Sequence, residues 1–260
     1  MRIAIGVEYN GAGYHGWQRQ ADRKSVQGSL EQALSQVADH PVELTCAGRT
    51  DRGVHALGQV AHFDTSVQRS ARGWLLGANS SLPNDISITW VQPVAGDFHA
   101  RFSATARYYR YVVLNRLPRP AVLAGQVCWF HPPLDVAVMQ QAAQALVGEH
   151  DFTSYRAVGC QSKSVIRVVE FIRVSRSADF VYLDIKADAF LHHMVRNIAG
   201  VLLAVGAGKQ PPAWAQQVLD ARDRTQAGIT APAQGLYFVA AYYPSQFSLP
   251  APPRPPCFSA

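Results

Sequence analysis

Long apolar runs are missing from this chain. No stretch approaches the ~20 uninterrupted apolar residues that cross a bilayer, so the sequence offers no membrane span. Cysteine is scarce, with only Cys46, Cys128, Cys160 and Cys257, widely scattered and never paired as CxxC. That argues against a zinc knuckle or a disulfide framework and fits a reducing cytoplasm. The opening MRIAIGVEYN lacks the plan of a signal peptide and reads as a strand. Acidic residues are outnumbered, 18 against 24 basic ones, for a formal net charge of +6, and lysine supplies only four of the cations. Arginine's planar fork suits bidentate phosphate contacts and stacks on bases. A basic balance of this kind favours a nucleic-acid partner, although genome composition alone also raises arginine over lysine.

What is present begins with enough apolar residues, 48% of 260, for one large domain or two smaller ones. Residues 2–9 predict a strand. VQGSLEQALSQVA puts Val26, Leu30, Ala33, Leu34 and Val37 on one helical face, with Ser25 as cap and Pro41 beyond the end. Strands are expected near 42–47 and 58–64, a helix near 70–81 and a strand near 86–93. This βαββαβ order is the ferredoxin-like split unit. From Phe98 the theme repeats: strands near 105–115 and 126–130, a helix near 135–147, then a hairpin of 165–176 and 179–188. A long helix at 190–207, a short one near 212–221 and a strand near 236–243 complete it. The expected fold class is α+β, two ferredoxin-like halves with mainly antiparallel sheets meeting at a central basic cleft. The expected division is 1–97, 98–244 and a Pro-rich tail, 245–260, extended or disordered.

The segment GRTDRGVHALGQVAHF, Gly48 to Phe63, holds Asp51 between Arg49 and Arg52 in a glycine-bounded turn. Exposed ion pairs are worth little. A partly buried aspartate would be kept ionised by its arginines, which makes it a poor general acid. It stays open as a nucleophile, a weak base or a structural anchor. His55, His62 and Asp64 follow, but H-x6-H-x-D matches no common metal-ligand spacing. ARYYRYVVLNR interleaves Tyr108, Tyr109 and Tyr111 with Arg107, Arg110 and Arg116. It reads either as a half-buried strand with packing tyrosines or as a base-stacking platform beside phosphate-binding arginines. On helix 190–207 Arg196 points nearly opposite the apolar face, one turn beyond His192. Ala199, Gly200 and Leu203 surround it, so that second face should also be packed. Its partner is either a core carboxylate or Asp51.

The Asp51 segment resembles the signature of the bacterial tRNA pseudouridine synthase A family. YNGAGYHGWQRQ (Tyr9 to Gln20), FHARFSATARYYRY (Phe98 to Tyr111), AFLHHMVRNIAGVL (Ala189 to Leu202) and GLYFVAAYYP (Gly235 to Pro244) match further family segments in the same order. The resemblance spans nearly the whole chain to Pro244. It implies isomerisation of uridine to pseudouridine at positions 38, 39 and 40 of the tRNA anticodon stem-loop, by a homodimer, with no cofactor and no metal. It places the nucleophilic aspartate on Asp51 and the base-stacking tyrosine on Tyr109. It places an arginine of the signature on Arg49, the arginine that pairs with the aspartate on Arg196, and an apolar pocket residue on Leu236. Asn10 stands where the family usually has aspartate, and Tyr108 where it usually has a second arginine. Both departures bear on RNA affinity more than on chemistry.

This chemistry needs an ionised carboxylate. The N1–C1′ bond breaks, the base turns, and C5 joins C1′, with no oxidation and no net consumption of water. A carboxylate can attack C1′, add to C6, or take the C2′ proton. A stacked target base must first be extruded; Arg49 could fill its place or hold the adjacent phosphate, and Tyr109 would stack on the freed ring. Two rivals stand beside this reading: a tRNA-binding module without catalysis, and a metal-dependent RNA phosphoesterase built on His55, His62 and Asp64.

Overall fold

The computed structural model describes residues 1–258, an α+β chain that divides into two compact units. The first comprises Met1–Thr105 and Phe238–Pro255; the second comprises Ala106–Tyr237 and the chain from Pro256 onward. The division therefore falls eight residues later than the sequence reading placed it, and the last strand begins in the second unit and ends in the first. Strand pairing between residues far apart in sequence decides this, and local patterning does not report it.

In the first unit β1 (Arg2–Tyr9) pairs antiparallel with both β3 (His55–Asp64) and β4 (Ile86–Val94). The two-residue β2 (Thr45–Cys46) pairs antiparallel with β3, opposite His62 and Ala61. α1 (Val26–Ala38) starts where expected because Ser25 Oγ accepts the Gly28 amide at 3.2 Å, satisfying one orphan donor of the first turn. Val26, Leu30 and Leu34 are fully buried, and truncating such a leucine costs about 2–5 kcal/mol. Glu31 breaks that apolar face. It is buried, its Oε1 accepts from the Leu44 amide at 2.9 Å, and its Oε2 meets Arg19 at 3.0 Å. α2 (Ala71–Asn79), capped by Ser70, presents Trp74 edge-on to Phe63 at 5.2 Å.

In the second unit β5 (Ala106–Leu114) pairs antiparallel with β9 (Phe180–Ala187), which pairs with β8 (Ile166–Ser177). β6 (Cys128–Trp129) adds to β5 in parallel. A further strand, β7 (Gly148–Asp151), pairs with Ile166–Val169 of β8 and was not expected from the sequence; its GEHD has no apolar alternation to reveal it. α3 (Val136–Gln144) is capped by Asp135. α4 (Met194–Gly206) begins four residues later than expected, after His193 adopts a left-handed conformation. His192 is thus outside the helix, not a turn before Arg196 on its face. α5 (Trp214–Ala221) and β10 (Leu236–Tyr242) match expectation closely. Among the described residues no helix is long and apolar enough to cross a membrane. After a short 3-10 turn at Ser245–Phe247 the described part of the Pro-rich tail has no helix or strand, yet it is held. Tyr182 Oη donates to Phe258 O at 2.7 Å, Phe258 stacks on Phe180 at 5.5 Å, and Arg110 donates to Pro256 O at 2.9 Å.

Candidate active site

Asp51 opens a tight turn. The Val54 amide donates to Asp51 O at 3.1 Å, and Gly53 takes φ +81. A positive φ at the third position is the mark of a type II turn, which is why glycine stands there. Asp51 is half-buried, Thr50 and Val54 are buried, and Arg49 and Arg52 are exposed. The loop therefore presents one carboxylate at the boundary between protein and solvent, with cations on either side facing outward.

The backbone beneath that carboxylate is fixed from several directions. Thr50 Oγ1 and Tyr9 Oη are 2.7 Å apart, and Thr50 O accepts from the Trp17 amide at 3.0 Å. The side chain of Gln59, fully buried, brackets Gly48: Nε2 donates to Gly48 O at 2.6 Å and Oε1 faces the Gly48 amide at 3.4 Å. The Gly11 amide donates to His55 Nδ1 at 3.1 Å. Two glycines of the YNGAGYHGW segment lie flat against the loop. A Cβ on Gly11 would sit 1.9 Å from Val54 O, and one on Gly16 (φ +91) would sit 2.6 Å from Thr50 O and 3.1 Å from the Asp51 carbonyl carbon. The segment from Tyr9 to Trp17 is thus the bed of the Asp51 loop. Asn10 belongs to it as a cap, its Oδ1 accepting from the Ala12 amide at 3.1 Å. The electrostatics are basic nearby: burial pushes the Cys46 thiol up to about 12, against the opposing pull of Arg49 and then of Arg101.

The other candidate residues belong to the second unit. Tyr109 is buried on β5 and meets Phe190 edge-on at 5.0 Å. It shares a face with Tyr111, whose hydroxyl donates to Pro232 O at 2.8 Å. Leu236 is buried at the start of β10. Arg196 is half-buried; its Nε donates to Ala231 O at 2.9 Å, while its own carbonyl accepts from the Ala231 amide at 3.1 Å. The second face of α4 is therefore packed, as expected, and segment 229–231 is what packs it. That segment is held by Asn197, which is fully buried, donates to Tyr155 O at 2.7 Å and accepts from Thr230 Oγ1 at 2.6 Å. Sequence reasoning missed Gln59 and Asn197; both are amides inside otherwise apolar patterns, and that exception is the signal.

The platform reading of ARYYRYVVLNR is corrected in part. Arg110 lies across from Asp184 in the β5–β9 register and grips it with two bonds of 2.8 Å, while Tyr108 Oη donates to the same carboxylate at 2.6 Å. Arg107 is buried and donates to Asp188 O at 2.8 Å. These guanidinium groups are committed to the fold. Tyr108, where the resemblance expects arginine, has the same structural task. His55, His62 and Asp64 do not converge either. His55 is occupied by Gly11, His62 Nδ1 accepts from the Ala100 amide at 3.2 Å, and Asp64 holds Arg2 through bonds of 2.9 and 2.7 Å.

The Asp51 loop lies inside the first of two stretches that match a known enzyme family. Residues 5–103 and 142–244 match the model of a family described as tRNA pseudouridine synthase. The tRNA pseudouridine synthase A of Enterobacter sp. (strain 638) is 57% identical over 259 residues, covering 100% of this chain and 96% of that protein. That of Hydrogenovibrio crunogenus is 57% identical over 248 residues, 95% of each. That of Vibrio cholerae serotype O1 is 56% identical over 258 residues, 99% of this chain and 98% of that one. This chain belongs to the tRNA pseudouridine synthase A family, and it is accordingly an isomerase acting on tRNA. Among solved structures, a chain in a crystal structure of a Cbf5-Nop10-Gar1 complex is 11% identical, with a TM-score of 0.30 over 77% of this chain and 54% of that one, a likeness too low to bear on the fold.

Proposed function

We propose that the uridines isomerised are those at positions 38, 39 and 40 of the anticodon stem-loop, and that Asp51 is the catalytic carboxylate. The observation that carries the assignment to Asp51 is its setting: a half-buried acid on a turn whose backbone is pinned by Tyr9, Trp17, Gln59 and two close-packed glycines. Fixing the backbone fixes where the carboxylate stands, and orientation is a large part of what such a group contributes. Ionised, it attacks C1′ as nucleophile, adds to C6 or takes the C2′ proton. In each route N1–C1′ gives way to C5–C1′, and the proton lost from C5 balances the one gained at N1.

The remaining roles follow the resemblance. Arg49 fills the place of the extruded nucleotide or holds its phosphate, and its exposure supports that role. Tyr109 stacks on the freed ring, Arg196 supplies a cation that keeps the carboxylate charged, and Leu236 is an apolar wall. The working unit is a homodimer without cofactor or metal, acting on tRNA in the cytoplasm. Each unit is read as a ferredoxin-like split motif. The orders β4-β1-β3-β2 in the first and β5-β9-β8 in the second support this.

The test is tritium release from C5-labelled uridine in unmodified tRNA. Wild type should release it in the presence of chelator. Asp51→Asn should release none while binding tRNA within about tenfold, or ~1.4 kcal/mol. Turnover by Asp51→Asn above a few per cent of wild type, with deamidation excluded, would refute the catalytic role. Binding without any wild-type release would favour the non-catalytic reading.

A further inference from the structure

The loop from Phe98 to Ser103 is fixed at almost every backbone group. His99 O accepts from the Ser103 amide at 2.8 Å, and Ser103 Oγ accepts from the His99 amide at 3.0 Å. His99 Nδ1 faces the amides of both Arg101 and Phe102 at 3.2 Å. The Ala100 amide donates to His62, and Ala100 O accepts from Tyr243 Oη at 2.7 Å. Arg2 donates to Phe98 O and Gly96 O, each at 2.8 Å. A turn tied this firmly has its tip residue in one place, and the residue at the tip is Phe102, 75% exposed.

Holding an apolar ring in water gains nothing for folding, because the favourable term comes from burial. The side chains that the structure records against the ring are polar ones. Its neighbours are His99, whose ring lies 4.3 Å away at 31°, and Arg101, whose guanidinium carbon is 5.4 Å from the ring centroid. An apolar protein partner would need more apolar surface than one ring. A rigid exposed aromatic beside a cation is instead the equipment with which proteins hold an unpaired base.

Its position agrees. The loop hangs on His62, which pairs across the ladder with Thr45 of β2, and β2 runs directly into the Gly48–Val54 turn. The cations Arg49 and Arg101 both act on the thiol of Cys46, the last residue of β2. Arg101 is exposed, as is Arg49 of the Asp51 loop.

We propose that Phe102 stacks on an unpaired base of the tRNA substrate, with Arg101 taking the adjacent phosphate, as a second RNA contact beside the Asp51 loop. The proposal rests on tRNA being the substrate, and wild-type turnover checks that separately. The experiment compares Phe102→Ala, Phe102→Trp, Phe102→Leu and Arg101→Gln in the full chain. It measures equilibrium binding to unmodified tRNA across a salt series, and kcat and KM by tritium release. Phe102→Ala should weaken binding and raise KM about five- to 150-fold, the range of one lost base stack, with kcat within about twofold. Phe102→Trp should restore both, Phe102→Leu should not, and the thermal midpoint should stay at the wild-type value in all three. Arg101→Gln should lower the slope of log affinity against log salt by about one. Binding of Phe102→Ala within about twofold of wild type would overturn the proposal. So would full rescue by leucine, or a change in oligomeric mass with tRNA affinity intact, which would mark the ring as a contact between copies.

Discussion

The two arginine-rich stretches look alike in sequence and are spent differently. In GRTDR, Arg49 and Arg52 are exposed beside a half-buried acid. In ARYYR, Arg107 and Arg110 are drawn into the sheet, one on a backbone carbonyl and one on the buried carboxylate of Asp184. The first stretch is a loop fixed from beneath by neutral groups, and its two arginines reach the surface. The second is a strand, and a strand sets every other residue against a fixed neighbour. Arginine content therefore overstates the charge available to RNA, and local structure decides how much remains.

The comparison breaks most sharply at Asp184. Asp184→Ala leaves Arg110 charged, half-buried and without its carboxylate, and removing one partner of a buried pair costs about 3–5 kcal/mol. The urea midpoint should fall accordingly, and replacing Arg110 and Asp184 together by leucine should recover most of the loss. A wild-type midpoint in Asp184→Ala would show that the pair is not structural.

Acidity should separate the two regions next. His62 lies against His99, Phe98 and Arg2, with Asp64 nearby, and burial followed by the charge of Arg2 lowers its pKa to about 4. An unfolded imidazole takes its proton near 6.5. Between those values the unfolded state binds more protons, so stability rises with pH. Stability should therefore drop as pH falls from about 6.5 towards 4, by about 1–2 kcal/mol after allowing for solvent screening. His62→Asn should flatten that window, while Asp184→Ala should leave its slope unchanged. Denaturant midpoints at several pH values would show it, and an unchanged slope in His62→Asn would remove His62 as the cause.

The smallest effect sharpens the contrast. Arg49→Gln should lower the salt slope of tRNA binding by about one and leave the thermal midpoint unmoved. Arg110→Gln should lower the midpoint and leave the slope of the remaining folded protein as it was. Equal slopes in wild type and Arg49→Gln would end the view that the first stretch serves the phosphates.

Much of the fold could be read because it is written in local pattern. The apolar stripe of Val26 to Leu34, the Ser25 cap and the alternation of β8 and β9 each report a single element, and each element stands within a few residues of its expected place. Asp51 was picked out for another reason: its turn alone left it open as a structural anchor, and only the resemblance carried by the ordered motifs around it made it the candidate carboxylate. The misses involve partners distant in sequence. Nothing near Arg110 names Asp184, nothing in GEHD names β8, and the proline content of the tail does not reveal Tyr182 and Phe180 waiting for Phe258. The start of α4 was misplaced because His193 takes a left-handed backbone conformation that few residues other than glycine adopt. Whether the acid acts at C1′, C6 or C2′ is a matter of substrate atoms, and no residue pattern encodes it.

Gly11 and Gly16 carry no reactive group, yet the space beside them is already filled by the backbone of the Asp51 loop. A mutational scan scored only by loss of modified tRNA would rank these glycines with Asp51 itself and draw one continuous cluster of essential positions. The cluster would mix two kinds of necessity. On the role proposed for Asp51, a replacement there removes a reagent from an intact vessel; at Gly11 and Gly16 it dents the vessel. Only a screen that counts folded molecules alongside modified tRNA would separate the chemist's residues from the mason's.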